Sequence, residues 1–507
     1  MSHLAIIPIL LPLAAGIACL ALERAGLVAQ RAVSLAAALM MMAVAALLLR
    51  HAGTGAIDVY ALGNWPAPFG IVLVLDRLSA LMVAVCAALA LPALIYASGG
   101  TDALGRHFHA LFQFQIAGLN GAFLTGDLFN LFVFFEVLLL ASYGLLVHGN
   151  GRARANAGLA YVVLNLTGSA LFLIALGLLY GTLGTLNMAD MAHALARVPA
   201  ADQALVRTAA SLLVVVFALK AALFPLSFWL PSVYGAAVAP AAALFAIMTK
   251  VGVYALLRVS SASFAGAPVT ADLLQPWLMP LAIATIVAGT LGALAARRLA
   301  VVVASLVVVS TGTLLAAIAA SGIEAIAAAL FYLVHSTLVA GGFFLLAGRI
   351  ASARGEAGDG FRTGQTATRA VTLGAAYLVF ALAISGVPPL SGFLAKLMIL
   401  RSIQEAPFGP LAWTALLSSS LLPALVLARA ASVFFWEAKP APAATAEARL
   451  GLPALAMLTM LAASPLLVAF AAPVADYARA TAMQLRSPAA SEAVLGADPA
   501  TARERRP

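Results

Sequence analysis

The sequence is poor in charge, in cysteine and in lysine. Only 9% of its 507 residues are Asp, Glu, Lys or Arg, whereas 64% are hydrophobic and the mean hydropathy is +1.06. A soluble core cannot use that much apolar surface, and uncharged windows of about 20 residues recur along the chain. A β-barrel is excluded too, because the apolar runs are continuous and lack the roughly 10-residue alternation of barrel strands. The chain reads as an all-α polytopic membrane protein. Its opening stretch, "MSHLAIIPILLPLAAGIACLAL", has no basic n-region and exceeds a signal-peptide core, so it is expected to be a retained first span.

Other absences narrow the function. The two cysteines, Cys19 and Cys86, lie in apolar spans and read as small buried hydrophobes. No metal-ligating cluster, P-loop, dinucleotide fingerprint or nucleophile motif is present. The glycines of "GTGAIDVYALG" and "YGTLGTLNMAD" lack the strand-to-helix context that phosphate binding needs. No cofactor is expected, and energy must come from an ion gradient or from partner subunits. The net charge of +9 does not point to nucleic acid, since the arginines are scattered over short loops.

About fourteen spans of membrane-crossing length can be counted. They group as spans 1–3 with an outer loop (residues 1–107), spans 4–8 (108–260), spans 9–13 (275–437), and span 14 with a polar tail (438–507). Loops after odd-numbered spans are the richer in basic residues, among them Arg24, Arg31, Arg106, Arg152, Arg154, Arg297, Arg298, Arg349 and Arg354. Loops after even-numbered spans hold Arg50, Arg77, Arg197, Arg207, Arg258 and Arg401. Positive-inside asymmetry then places both termini outside, although the tail arginines, Arg479 and Arg486 among them, oppose this.

One stretch recurs. "PLSFWL" at 225–230 returns as "PLSGFL" at 389–394, in span 7 and span 12. Spans five apart cross in opposite directions, so a five-span unit repeated once must be inverted. Inverted repeats with helices broken near the midplane are a transporter architecture.

Of the four lysines, three fall inside spans: Lys220, Lys250 and Lys396. The loops use arginine almost exclusively. Arg stays protonated, whereas a desolvated Lys can give up its proton, so the division suits proton loading and release. Glu136 lies mid-span in "LFNLFVFFEVLLLASYGLL" and His335 in "AALFYLVHSTLVAGGFF". Each ionised group at the bilayer centre costs roughly 3 kcal/mol or more. The blander reading is a set of buried ion pairs and one satisfied core histidine; five such positions in one membrane protein favour a proton relay.

The prolines reinforce this. Pro225 leaves the carbonyl of Ala221 without its helical partner beside Lys220, and Pro388 and Pro389 do the same to Ile384 and Ser385 ahead of Lys396. Unpaired backbone at membrane depth needs protein or water to satisfy it, so each break predicts a wet pocket beside a lysine. Asp127 reads as the N-cap of span 5 with Asn130 at N3, and alternatively as a proton entrance. Asp76 and Arg77 read as interfacial. Arg429 reads as a snorkelling side chain or the end of a proton path.

Three long stretches, "LTGDLFNLFVFFEVLLLASYGLL", "ALKAALFPLSFWLPSVYGAAVAPAAALFAIMTKVGVYALLR" and "GVPPLSGFLAK", resemble the D subunits of the Mrp-type multisubunit cation/proton antiporters. "LFYLVHSTLVAGGFFLLAG" resembles the Pha-type, potassium branch, and the likeness spans roughly residues 4–470. The resemblance implies kinship with the proton-pumping subunits of respiratory complex I. It assigns Glu136 and Lys220 as a coupled pair, Lys250 as the connecting lysine, His335 as the central histidine and Lys396 as the terminal lysine. Many members carry a second histidine where this chain has Ser336, and some carry a lysine within 339–342. The central relay is therefore expected to lean on water and Ser336.

The implied partners are the other antiporter subunits, protons, potassium or sodium, and the lipid bilayer of a bacterial cell. The competing function is proton pumping in complex I or a membrane-bound hydrogenase. Against it stands the short polar tail after span 14, which is expected to leave no room for the long lateral helix of some pumping subunits. A third reading, an assembly scaffold that moves no ions, predicts intact transport after neutralisation of Lys220.

Overall fold

The computed structural model describes residues 3–264, 267–364, 370–437 and 451–496. Arg369, Lys439, Arg449 and the tail from residue 497 onward lie outside these. The chain opens with α1 (Ile7–Ala21), α2 (Leu27–Gly53), α3 (Arg77–Ala97), α4 (Phe108–Leu124), α5 (Leu128–Val147) and α6 (Arg152–Leu183). A short α7 (Met188–Leu195) precedes α8 (Gln203–Ala221), α9 (Trp229–Ala236), α10 (Ala239–Phe245) and α11 (Met248–Val259). Then come α12 (Gln275–Ala295), α13 (Leu299–Ala319), α14 (Ile323–Ala353), α15 (Ala370–Ser385), α16 (Ser391–Ser402) and α17 (Gly409–Ala431). The last helices are α18 (Leu452–Ala469), α19 (Ala471–Arg486) and α20 (Ala489–Leu495).

Among the described residues, twelve helices are long and apolar enough to cross a membrane. The protein is a multi-pass membrane protein. The two expected spans missing from that count have physical reasons. Span 4 is the 17-residue α4, whose polar His109, Gln113, Gln115 and Asn120 are all buried. Span 12 is split into α15 and α16.

Among the described residues, a single two-stranded sheet joins α2 to α3, with β1 (Asp58–Ala61) antiparallel to β2 (Val72–Leu75) and Asp58 opposite Leu75. Main-chain bonds extend it: Gly126 N donates to Val72 O, Met188 N to Gly126 O and Leu128 N to Leu186 O, each at 2.9 Å. Buried N–H and C=O groups must find partners, and this knot supplies them where three loops meet. Asp127 sits inside it and accepts from Asn130 N at 2.9 Å, capping α5.

Helices α10, α11 and α14 are enclosed by protein, and α3 and α13 nearly so, whereas α1, α2 and α17 present apolar faces outward. The enclosed helices carry Lys250 and His335. Small residues set the closest approaches. A Cβ added at Gly252 would lie 2.3 Å from Ala221 N and 2.7 Å from Lys220 C, so α11 presses on the end of α8 beside the lysine.

Helix α8 stops at Ala221 and α9 starts at Trp229, with Pro225 between and Ala222 in the left-handed region at φ 56°. Phe224 N donates to Thr285 Oγ1 of α12 at 2.9 Å, which satisfies part of the interruption. Helix α15 stops at Ser385 and α16 starts at Ser391, spanning Pro388 and Pro389. A third interruption, between Phe245 and Met248, is not expected from the sequence, because no proline lies at 246–247 to signal it.

Two expectations are corrected. The segment after span 14 is not merely a polar tail, since α19 folds back against α14 and α3 with Ala478, Thr481 and Ala482 buried. Its Tyr477 hydroxyl donates to Arg77 O at 3.1 Å, and its Gln484 Oε1 accepts from Arg77 N at 3.0 Å. The second concerns Arg258, which pairs with Asp76 at the start of α3. Asp76 is buried, caps α3 through Ser79, and takes both Arg258 nitrogens at 2.5 and 2.8 Å. Arg258 lies inside α11, not in a loop, and also donates to the Tyr254 hydroxyl at 3.1 Å.

Candidate proton pathway and its neighbours

Lys220 comes from the last turn of α8 and is almost fully buried. Its ammonium donates to Asn165 Oδ1 at 3.1 Å, and Asn165 Nδ2 donates back to Tyr161 O at 2.9 Å. Glu136, half-buried on α5, accepts a hydrogen bond from the Ser169 hydroxyl. Among the described residues Glu136 and Lys220 form no direct ion pair within 4.0 Å; each is held by α6 instead. Gly168 lets α8 approach, since a Cβ there would meet Leu219 Cδ2 at 2.6 Å.

The pocket beside Lys220 is small. About 20 Å³, bounded by Tyr161, Asn165, Trp229, Met248 and Val251 among others, leaves room for about one water molecule. The wet pocket expected at this break is thus a single-water cavity. Gln115 donates to Met248 Sδ at 3.0 Å, and its buried Oε1 has no partner among the described residues.

Lys250 lies in the first turns of α11, fully buried, and donates to Ser310 Oγ of α13 at 2.7 Å and to Thr249 Oγ1 at 3.3 Å. Thr313, almost one turn further along α13, faces the Tyr332 hydroxyl of α14. The Tyr332 and His335 rings lie 5.8 Å apart. His335 Nδ1 and Ser391 Oγ are 2.8 Å apart, and Ser391 Oγ and Ser464 Oγ of α18 likewise 2.8 Å. Ser336 turns away, its hydroxyl donating to Leu333 O of its own helix at 3.4 Å.

Lys396 lies on α16, one turn beyond Gly392, where a Cβ would come within 3.0 Å of His335 Nε2. Its ammonium donates to Ser420 Oγ at 2.7 Å, Ser385 O at 3.1 Å and Ile384 O at 3.4 Å. The carbonyls freed by Pro388 and Pro389 are therefore met by the lysine itself. A cleft of about 360 Å³ opens alongside, lined by Ser385, Gly386, Pro388, Phe393, Lys396 and Ser420 among others. Arg429 is exposed near the end of α17.

The structure thus brings Lys220 and Lys250 to one α8–α11 contact, and His335 and Lys396 to the first turns of α16. Each is held by its own hydroxyl, amide or carbonyl partner. Asn165, Ser169, Ser310, Ser391 and Ser420 do not stand out in the sequence; their only signal is a polar residue within, or opening, an apolar helix. None of the three buried lysines meets a carboxylate within 4.0 Å among the described residues.

Away from this line, a second polar cluster ties helix ends together. Arg31 of α2 grips Asp102 in two contacts of 2.6 and 2.7 Å, and His109 Nε2 of α4 lies 2.9 Å from the same carboxylate. Burial alone would raise the Asp102 carboxyl, but hydrogen bonds from Arg31 and His109 and their charges outweigh it and hold it at about 2. Nearby, His148 is lowered by burial, with Thr101 O at 3.0 Å opposing. Burial raises the Asp127 carboxyl against its hydrogen bonds from Asn130 and Phe129.

Comparison with known proteins agrees with this architecture. Residues 125–422 match the family described as NADH:quinone oxidoreductase/Mrp antiporter, TM. A Rhizobium meliloti protein, named as a probable K(+)/H(+) antiporter subunit of the D type, is 44% identical over 437 residues, 81% of each chain. The D-type Na(+)/H(+) antiporter subunit of Bacillus subtilis is 36% identical over 446 residues, 87% of this chain and 89% of its own. A chain in the structure of the Mrp complex from Dietzia sp. DQ12-45-1b superposes with a TM-score of 0.87 at 28% identity, covering 98% of this chain and 99% of that one. The chain belongs to the NADH:quinone oxidoreductase/Mrp antiporter transmembrane family.

Proposed function

We propose that this chain is the proton-translocating subunit of a multisubunit potassium- or sodium/proton antiporter in a bacterial cell membrane, with both termini outside. Protons step from Glu136 and Lys220 through Lys250 and His335 to Lys396. The observation that carries this reading is the set of three buried lysines and a histidine, each held by neutral hydroxyl, amide or carbonyl groups. A lysine locked to a carboxylate stays charged, whereas one held by Asn165, Ser310 or Ser420 can pass its proton to a neighbour without stranding an anion. The short hydrogen bonds of Lys250 to Ser310 and of His335 to Ser391, with room for about one water beside Lys220, are contacts that proton hopping can use.

Two inverted five-span repeats, 108–260 and 275–437, fit the interruptions that fall at the recurring Pro-Leu-Ser motif. The chain acts as a secondary transporter subunit, not as an enzyme, and its partners are the other antiporter subunits. The identity to proteins named as D-type subunits of potassium and sodium antiporters favours this over a redox-driven pump, which the family's name also spans.

The test uses everted vesicles holding the whole encoded complex, energised acid inside. Potassium or sodium should release protons from wild type, and Lys220→Ala at matched abundance should not respond. No cation response in wild type would favour the redox pump. Equal responses would exclude Lys220 from the path.

A further inference from the structure

We propose that the oxygen cradle around the Lys396 ammonium is a binding site for a monovalent alkali cation of potassium's size, occupied alternately by the ammonium and by the ion. This rests on the exchange reading above and names where the cation would meet the proton.

The cradle follows from the sequence. Residues 388 and 389 are both prolines, so the carbonyls of Ile384 and Ser385 cannot receive their helical N–H donors. Helix α15 ends there, and its carbonyl end carries partial negative charge. Both carbonyls and the Ser420 hydroxyl converge on one point, 2.7–3.4 Å from the Lys396 nitrogen. The Ser385 hydroxyl, buried and without a partner among the described residues, is a further oxygen on the same residue. Gly386, at φ 80°, allows the lysine stem to lie against the turn, since a Cβ there would be 2.8 Å from Lys396 Cδ.

These oxygens are all neutral, and freed carbonyls supplemented by hydroxyls are what replace the hydration shell of an alkali ion in channels and transporters. An ammonium and a potassium ion are close in size and both gather several oxygens, whereas sodium asks for a tighter ring. Lys220 and Lys250 differ, because their described acceptors are side chains of Asn165, Ser310 and Thr249 and no main-chain carbonyl. A cleft of about 360 Å³, lined mostly by apolar side chains such as Leu397, Leu417 and Leu421, adjoins the cradle.

The exchange balances. When Lys396 passes its proton to the relay, the neutral amine no longer needs the cradle and swings aside on its flexible stem. A cation then takes the oxygens, and the position carries one positive charge before and after. Reprotonation reverses the step and expels the ion. Proton and cation thus compete for one set of ligands.

The purified complex, without any gradient, can be titrated with radiolabelled rubidium as potassium's tracer at mildly acidic and alkaline pH. Wild type should bind rubidium more weakly as the pH falls. Lys396→Met, whose cradle has no tethered ammonium, should bind it independently of pH. Ser420→Ala, which removes one ligand and leaves the charge, should weaken binding about tenfold. Should Lys396→Met fail to assemble, Ser420→Ala decides alone. Rubidium binding that is indifferent to both substitutions, or no binding at all, overturns the proposal. Failure of the relay reading shows separately, as cation-driven proton efflux that survives Lys220→Ala or is absent from wild type, with rubidium binding still sensitive to Lys396.

Discussion

Asn165 and Ser169 stand one helical turn apart on α6 and hold Lys220 and Glu136 respectively. The acid on α5 and the base on α8, a coupled pair by resemblance, are thus each hydrogen-bonded to the same intervening helix. Asn165→Leu should remove the acceptor of the Lys220 ammonium and slow cation-driven proton efflux by roughly tenfold, the effect of losing one buried hydrogen bond at a transfer step. Glu136→Gln, which conserves volume, should impair efflux while complex abundance stays near normal. A complex that fails to assemble with Glu136→Gln would turn the argument toward a purely structural role.

Gly252→Ala should be disproportionately harmful for so small a change. The added methyl would meet the backbone of Lys220 and Ala221, which cannot rotate away as a side chain could. Overpacking of this kind costs about 1–3 kcal/mol. A lowered melting temperature of the purified complex, together with reduced efflux, is the expected result; unchanged values of both would mean that α8 and α11 are free to separate.

Asp76 and Arg258 are 182 residues apart in sequence and share two hydrogen bonds in a buried site. Arg258→Met leaves a carboxylate unpaired and should lower stability by about 3–5 kcal/mol, whereas the double change with Asp76→Asn should recover part of that loss. A double-mutant cycle on unfolding of the complex measures the coupling, and additive effects would exclude it.

Asp102→Asn should cost about 3 kcal/mol at neutral pH, by removing the carboxylate from between Arg31 and His109. Because the folded carboxyl sits at about 2, below its unfolded value of about 3.9, its stabilisation is complete above the unfolded value and is lost as pH falls toward 2. His148, lowered by burial, adds in the same direction: stability falls as pH drops through the ordinary histidine range. Wild type and Asp102→Asn should therefore converge in melting temperature on strong acidification. A gap that stays constant with pH would remove the carboxylate from the explanation.

Much of the candidate site was legible because the membrane makes charge conspicuous. Lys220, Lys250, Lys396, Glu136 and His335 stand out against apolar windows, and the prolines near two of them mark interruptions whatever the tertiary fold. Long-range partners were not legible. Arg258 reads as a loop arginine because its neighbours in sequence are apolar on one side and serine-rich on the other, and nothing local announces Asp76. The break at 246–247 has no proline to betray it. The hydroxyls of Ser310 and Ser420 resemble any helix serine bonding its own backbone, as each also does. Only packing shows that a lysine reaches them. The last segment reads as polar because its alanines are individually unremarkable, yet Ala478, Thr481 and Ala482 give α19 a face that docks.

That docking ties the beginning of the molecule to its end. The main-chain amide and carbonyl of Arg77 find their partners on Gln484 and Tyr477, the first of these 407 residues away. During synthesis the entrance to α3 must therefore stay unfinished until nearly all of the remaining helices have been inserted. Closure of this seam belongs to the end of biogenesis, and a chain cut short before α19 would carry an open seam next to its third helix, however well the rest had folded.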